Sequence, residues 1–150
     1  MFAHGGIDLD PCSSPEANTR VGTWSFNDKA TDGLSEAVAW SGNVYINPPF
    51  DVRWGSSLQG LFFQWCVREY RAARVPQAAL LLKPGVGSTW FRDVLQRPVS
   101  FVLERLSFIR QATAKLRWGA GVQNTHGSYH VHGPGRWQIC TAFLGRRKHP

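Results

Sequence analysis

The chain is poor in cysteine, in methionine and in acidic residues, and it has no long apolar run. Its three cysteines (Cys12, Cys66 and Cys140) are odd in number and widely spaced. They make neither a disulfide framework nor a metal-binding pattern, so a reducing, intracellular compartment is expected. No apolar stretch approaches the roughly 18 residues of a membrane-spanning helix, so no membrane association is expected. Met1-Phe2-Ala3-His4-Gly5-Gly6 lacks the charged and apolar blocks of a signal peptide. Charged residues make up only 18% against 43% hydrophobic, a balance that excludes intrinsic disorder over the 150 residues. That length suits one domain, 1–150, with a continuous apolar core.

The scarcity of acid leaves an excess of base. Seventeen Lys and Arg against ten Asp and Glu give a net charge of +7, which favours a polyanionic partner. The charges are also segregated. Asp8, Asp10, Glu16, Asp28, Asp32 and Glu36 crowd the first third, while Gly145-Arg146-Arg147-Lys148-His149-Pro150 is basic. Seven Trp and nine Phe serve equally well as core or as surfaces on which bases stack.

Local patterns divide the chain into alternating strands and helices. Gly5 to Pro11 reads as a short strand stopped by proline, which cannot donate to a ladder. Ser14 and Pro15 suit the N-cap and first position of a helical turn, 15–18. Asn43-Val44-Tyr45-Ile46 is a strand that ends at Asn47-Pro48-Pro49-Phe50. Apolar spacing at Leu58, Leu61, Phe62, Trp65 and Cys66 predicts a core-packing helix between Ser56 and Arg74. Ala78 to Leu82 reads as a strand covered on both faces, and Ser88 as the cap of a helix over 89–96. Further strands are expected over 99–104, 106–109 and 137–144, with little periodicity in 111–135. The sum is an α/β fold with a largely parallel sheet, in which ligands sit beyond the carboxyl ends of the strands.

Asn47-Pro48-Pro49-Phe50 is the most specific segment. Two prolines remove N–H donors and fix φ, so the carbonyls keep their direction. Asn47 adds a side-chain carbonyl, and two acceptors aimed at one amino group can recognise an exocyclic amine. Phe50 offers a flat face for the base itself. The plain alternative is a proline turn that ends a strand.

This segment resembles motif IV of the DNA amino-methyltransferases, and its context is similar to the phage and prophage Dam-like adenine-N6 methyltransferase family. The pieces that carry the resemblance occur in order over residues 7–109. They are Ile7-Asp8-Leu9-Asp10-Pro11-Cys12-Ser13-Ser14-Pro15-Glu16-Ala17-Asn18, Thr31-Asp32-Gly33-Leu34, Trp40 to Phe50, Leu80-Leu81-Leu82-Lys83-Pro84 with Trp90-Phe91, and Glu104 to Ile109. The resemblance implies a Rossmann-like methyltransferase fold, S-adenosylmethionine as donor, and transfer to the N6 amine of adenine in DNA, with no metal required. It implies that Asn47, Pro48, Pro49 and Phe50 are the catalytic segment, and that Asp8, Asp10, Pro11, Cys12, Asp32 and Gly33 hold the donor. The family's glycine-rich turn after the first strand has no counterpart here, because Gly5-Gly6 precedes its strand. Its Thr-Pro segment and upstream helix have none either, so a fold shortened at the N-terminal end is expected.

Two alternatives stay open: a non-catalytic nucleic-acid-binding domain on the same fold, and an amino-methyltransferase acting on RNA or protein. For Asp8 and Asp10 an Asx turn before Pro11 competes with ribose binding, and for Asp32-Gly33 a plain β-turn competes with donor contact. Arg53, Arg105, Arg110, Lys115 and Arg117, with Trp118 beside the last, are the candidates for DNA contact, and 111–135 for a DNA-facing insertion. A solvated basic face is the alternative. His126, His130 and His132 lack a nearby carboxylate or cysteine to complete a metal site.

Overall fold

The computed structural model describes residues 6–102 and 139–145. Strand β1 (Leu9–Asp10) ends where Pro11 begins, and helix α1 (Pro15–Val21) follows. Ser14 caps α1 as its spacing predicts, with its Oγ accepting from the Ala17 N–H at 3.1 Å. The helix continues past the single expected turn until Gly22, whose left-handed φ of 68° closes it. Strand β2 (Ser25–Phe26) comes next, and a long connection leads to β3 (Asn43–Ile46). That strand stops at Asn47, as the double proline dictates.

Strands β4 (Val52–Arg53) and β5 (Ser56–Ser57) form a small antiparallel hairpin that local sequence patterns do not announce. It also moves the start of the next helix. Because Ser56 and Ser57 pair with Arg53 and Val52, helix α2 (Leu58–Arg71) begins two residues later than expected. After it come β6 (Gln77–Leu82), α3 (Thr89–Val94), β7 (Val99–Val102) and β8 (Ile139–Gly145). Helix α3 is shorter than the expected 89–96, and its last turn runs on through hydrogen bonds from Leu95 N to Phe91 O and Gln96 N to Asp93 O. The stretch 103–138, with the expected strand over 106–109 and the proposed insertion, lies outside the described residues.

The main sheet has the order β2-β1-β3-β6-β8-β7. Its first four strands are mutually parallel. Strand β8 is antiparallel to β6, and β7 is antiparallel to β8, so β7 runs in the direction of the parallel set. The molecule is thus a mixed α/β structure with a four-stranded parallel sheet. Among the described residues no helix is long and apolar enough to cross a membrane.

The period-two alternation of the strands sends Leu9, Val44, Ile46, Ala78, Leu80 and Leu82 into one core with Trp40, Phe62, Phe63, Cys66, Phe91 and Val94. Helix α2 therefore lies on that face. Its buried positions are Gln59, Gly60, Phe62, Phe63, Cys66 and Glu69, whereas Leu58, Leu61 and Trp65 pack at the core's margin. The expected apolar stripe is thus rotated slightly, and Trp40 packs beside both Phe62 and Trp65, with ring centroids 6.3 and 6.5 Å away. Buried Glu69 is compensated by Arg68 at 2.9 Å and by Arg74.

Strand order also positions a site. From β1 the chain crosses through α1 to β2 on one side, and from β3 it crosses through α2 to β6 on the other. Right-handed crossovers of parallel strands carry these two helices over opposite faces of the sheet. The gap beyond the carboxyl ends of β1 and β3 is therefore the topological switch point, where open α/β sheets receive ligands.

Candidate functional site

Two proline-stiffened segments meet at the switch point. Asp10-Pro11-Cys12 leaves β1 and Asn47-Pro48-Pro49-Phe50 leaves β3. Pro11 and Pro48 are completely buried, so both exits are fixed by packing as well as by ring closure. The Asn47 backbone N–H lies close enough to the Cys12 sulfur to favour its thiolate, so the two exits adjoin. At the next strand end, buried Gln59 of α2 accepts from the Lys83 N–H at 2.7 Å and holds the chain as it leaves β6.

A cluster of titratable groups lies beneath these exits. Asp10 is only 3% exposed, and its Oδ1 accepts from the Cys12 N–H at 3.1 Å and the Cys12 thiol at 3.6 Å. Burial pushes its carboxyl up to about 6, against smaller opposing effects of these hydrogen bonds. The first of those bonds is the Asx turn expected as the plain alternative. Burial, with the neighbouring Asp10 charge, also raises the Cys12 thiol. Tyr45, which shares Asp10's face of the sheet, is pushed up to about 12 by burial and then by Asp10 and Cys12. Its hydroxyl therefore stays protonated and able to donate. In the motif itself Asn47, Pro49 and Phe50 are half-buried, and the Asn47 side-chain oxygen is turned away from solvent.

The Asp32-Gly33 loop completes one wall. Gly33 is buried against Pro11, and a Cβ there would lie 1.9 Å from the Pro11 carbonyl oxygen, so only glycine permits this approach. The Trp40 indole N–H donates to Gly33 O at 2.8 Å and fixes the loop from the core side. Asp32 forms a bidentate pair with Arg53, with Oδ1 to one guanidinium nitrogen at 2.8 Å and Oδ2 to the other at 2.7 Å. That hydrogen-bonded guanidinium holds the Asp32 carboxyl below its ordinary value, even against desolvation. A residue expected to face the donor and one expected to face DNA thus hold each other.

The structure brings Asp10, Pro11, Cys12, Asp32, Gly33, Asn47 and Arg53 into one region. Asp8 is elsewhere. It precedes β1, at the opposite edge of the sheet, and its Oδ2 accepts from the Asn43 N–H at 2.6 Å where β3 begins. Arg105, Arg110, Lys115, Arg117, Trp118 and the three histidines lie outside the described residues. Sequence patterns did not single out Tyr45, Gln59, Trp40 or Trp54. Gly55 carries a usable signal, since an isolated glycine in a strand-like stretch is a local break where the chain can turn.

The chain matches no family model, no curated protein and no solved structure. Among the described residues no group of His, Cys, Asp or Glu could hold a metal ion. Of the three aspartates, Asp10 stands at the strand end beside the motif, its Oδ1 held by the Cys12 N–H and thiol, whereas Asp8 accepts from Asn43 and Asp32 pairs with Arg53.

Proposed function

We propose that the chain is a methyltransferase that moves a methyl group from S-adenosylmethionine to the N6 amine of adenine in DNA. The observation that carries this reading is the meeting of Asp10-Pro11-Cys12 and Asn47-Pro48 at the switch point, where Pro11 and Pro48 are both buried. Asp10, with the backbone of Pro11 and Cys12, would hold the donor, which when bound supplies an electrophilic methyl on sulfur. The residues' own work is positioning. Adenine's amine is a poor nucleophile because its lone pair is delocalised into the ring. Acceptors at Asn47 and the Pro48 carbonyl draw its N–H groups, favour a pyramidal nitrogen and aim the lone pair in line with the methyl. They also suit the positive charge that develops on nitrogen as the new bond forms. Rotating the Asn47 amide by half a turn exchanges its oxygen and nitrogen with little change of shape, which brings the acceptor round to a base. Phe50 stacks on that base.

A second reading, a nucleic-acid-binding domain without a donor, is favoured by the engagement of Asp8 and Asp32. Calorimetric titration with S-adenosylmethionine separates the two. The methyltransferase reading expects saturable binding, weakened roughly 10- to 100-fold by Asp10→Asn, the range for losing one charged hydrogen-bond partner. A silent titration of the wild-type protein alongside intact DNA binding would favour the second reading.

A further inference from the structure

The β4–β5 hairpin begins directly after the motif, and the Leu58 N–H closes its base by donating to Asp51 O at 2.9 Å. Its tip is Trp54-Gly55, both at positive φ, 51° and 73°. A two-residue hairpin of this twist takes Asn-Gly or Gly-Gly without strain, whereas a tryptophan in the left-handed region is disfavoured. Trp54 is also 77% exposed, and Val52 beside it is 65% exposed. The chain therefore keeps a large apolar ring at a position where both backbone geometry and solvent oppose it. Such combinations mark sites of use.

The ring is held ready. The Arg53 guanidinium lies over one face, 4.1 Å from the ring centroid. Arg53 is in turn held by both Asp32 oxygens, which biases the hairpin towards the strand-end site. The other ring face has no aromatic or cationic partner among the described residues. With a net charge of +7 on the chain, the partner favoured for that face is a nucleobase on a polyanionic strand.

We infer that Trp54 stacks on a base of the DNA next to the target adenine, so that the hairpin grips the strand opened at the motif. This rests on the reading that the site acts on DNA. Trp24 supplies an internal control. It is 86% exposed, but it precedes β2 at the opposite edge of the sheet, where its N–H donates to Ile7 O at 3.2 Å.

The test is fluorescence anisotropy of short labelled mixed-sequence DNA, single-stranded and duplex, with wild-type protein, W54A, W54F and W24A. W54A should weaken binding roughly 5- to 100-fold, the range for removing one aromatic stacking platform. W54F should recover most of that loss, and W24A should bind as wild type. The slope of affinity against salt should be unchanged in W54A, because no phosphate contact is removed. Binding by W54A equal to wild type would overturn the inference while leaving the DNA-directed reading intact. An equal loss in W24A, or no recovery in W54F, would overturn it as well. Failure of the wild-type protein to bind DNA at all would remove the DNA-directed reading and this inference with it.

Discussion

Asp10 is held almost wholly out of water, and a buried carboxyl resists ionisation. In the unfolded chain it ionises near 3.8, and in the folded protein near 6. Well below pH 3.8 both states hold the proton and no penalty exists. As pH rises from about 4 to about 6 the unfolded chain ionises first, and the native state loses stability relative to it. The loss saturates above pH 6 at roughly 3 kcal/mol, since each tenfold difference in proton affinity between the two states is worth about 1.36 kcal/mol. Asp10→Asn keeps an Oδ1 acceptor for the Cys12 N–H but cannot ionise. Urea denaturation should show D10N gaining stability relative to wild type between pH 4 and pH 7, by up to about 3 kcal/mol. Parallel pH profiles for the two proteins would contradict this account of Asp10. A carboxylate that weakens the fold at neutral pH yet stands at the strand end accords with the donor-holding role proposed for Asp10.

The hairpin and the loop that pins it show what the sequence could and could not reveal about elements. Asn43 to Ile46 was legible because β-rich residues and the following prolines act locally, and Ser14 at the cap of α1 for the same reason. The pairing of Asp32 with Arg53 was not, because it joins residues 21 positions apart and depends on Gly33 settling against Pro11. Nor was the placing of Asp8, since only register decides which strand end an aspartate faces. The Asp32–Arg53 pair is about one-third exposed on each side, so its share of stability is small, about 1 kcal/mol or less. That share is fully present above the ordinary carboxylate value and is lost as pH falls through the lowered one. Asp32→Asn should therefore leave the melting temperature within a few degrees of wild type, yet weaken DNA binding by loosening the Trp54 hairpin. Thermal melts and anisotropy on one preparation check both halves; a collapse of stability, or unchanged DNA affinity, would show that the pair does not act as a pin.

At the scale of the whole molecule, strand order assembles the site. By sequence alone the charge imbalance divides into acidic residues for a donor and basic residues for DNA. The structure separates the early carboxylates: Asp10 stands at the switch point, Asp32 pairs with Arg53 in the loop that walls it, and Asp8 braces the far edge of the sheet. Asn47-Pro48-Pro49-Phe50 lies where the crossovers of β1 and β3 diverge, with Gln59 holding the neighbouring strand end. The most direct test is a methyl-transfer assay with labelled S-adenosylmethionine and unmethylated duplex DNA, followed by nucleoside analysis. The wild-type protein is expected to place label on adenine N6. Asn47→Ala should reduce the rate by about 100-fold or more, the usual effect of removing one positioned transition-state partner, while its fold and DNA affinity stay close to wild type. No label in adenine, or an undiminished rate in N47A, would contradict the assignment of this site.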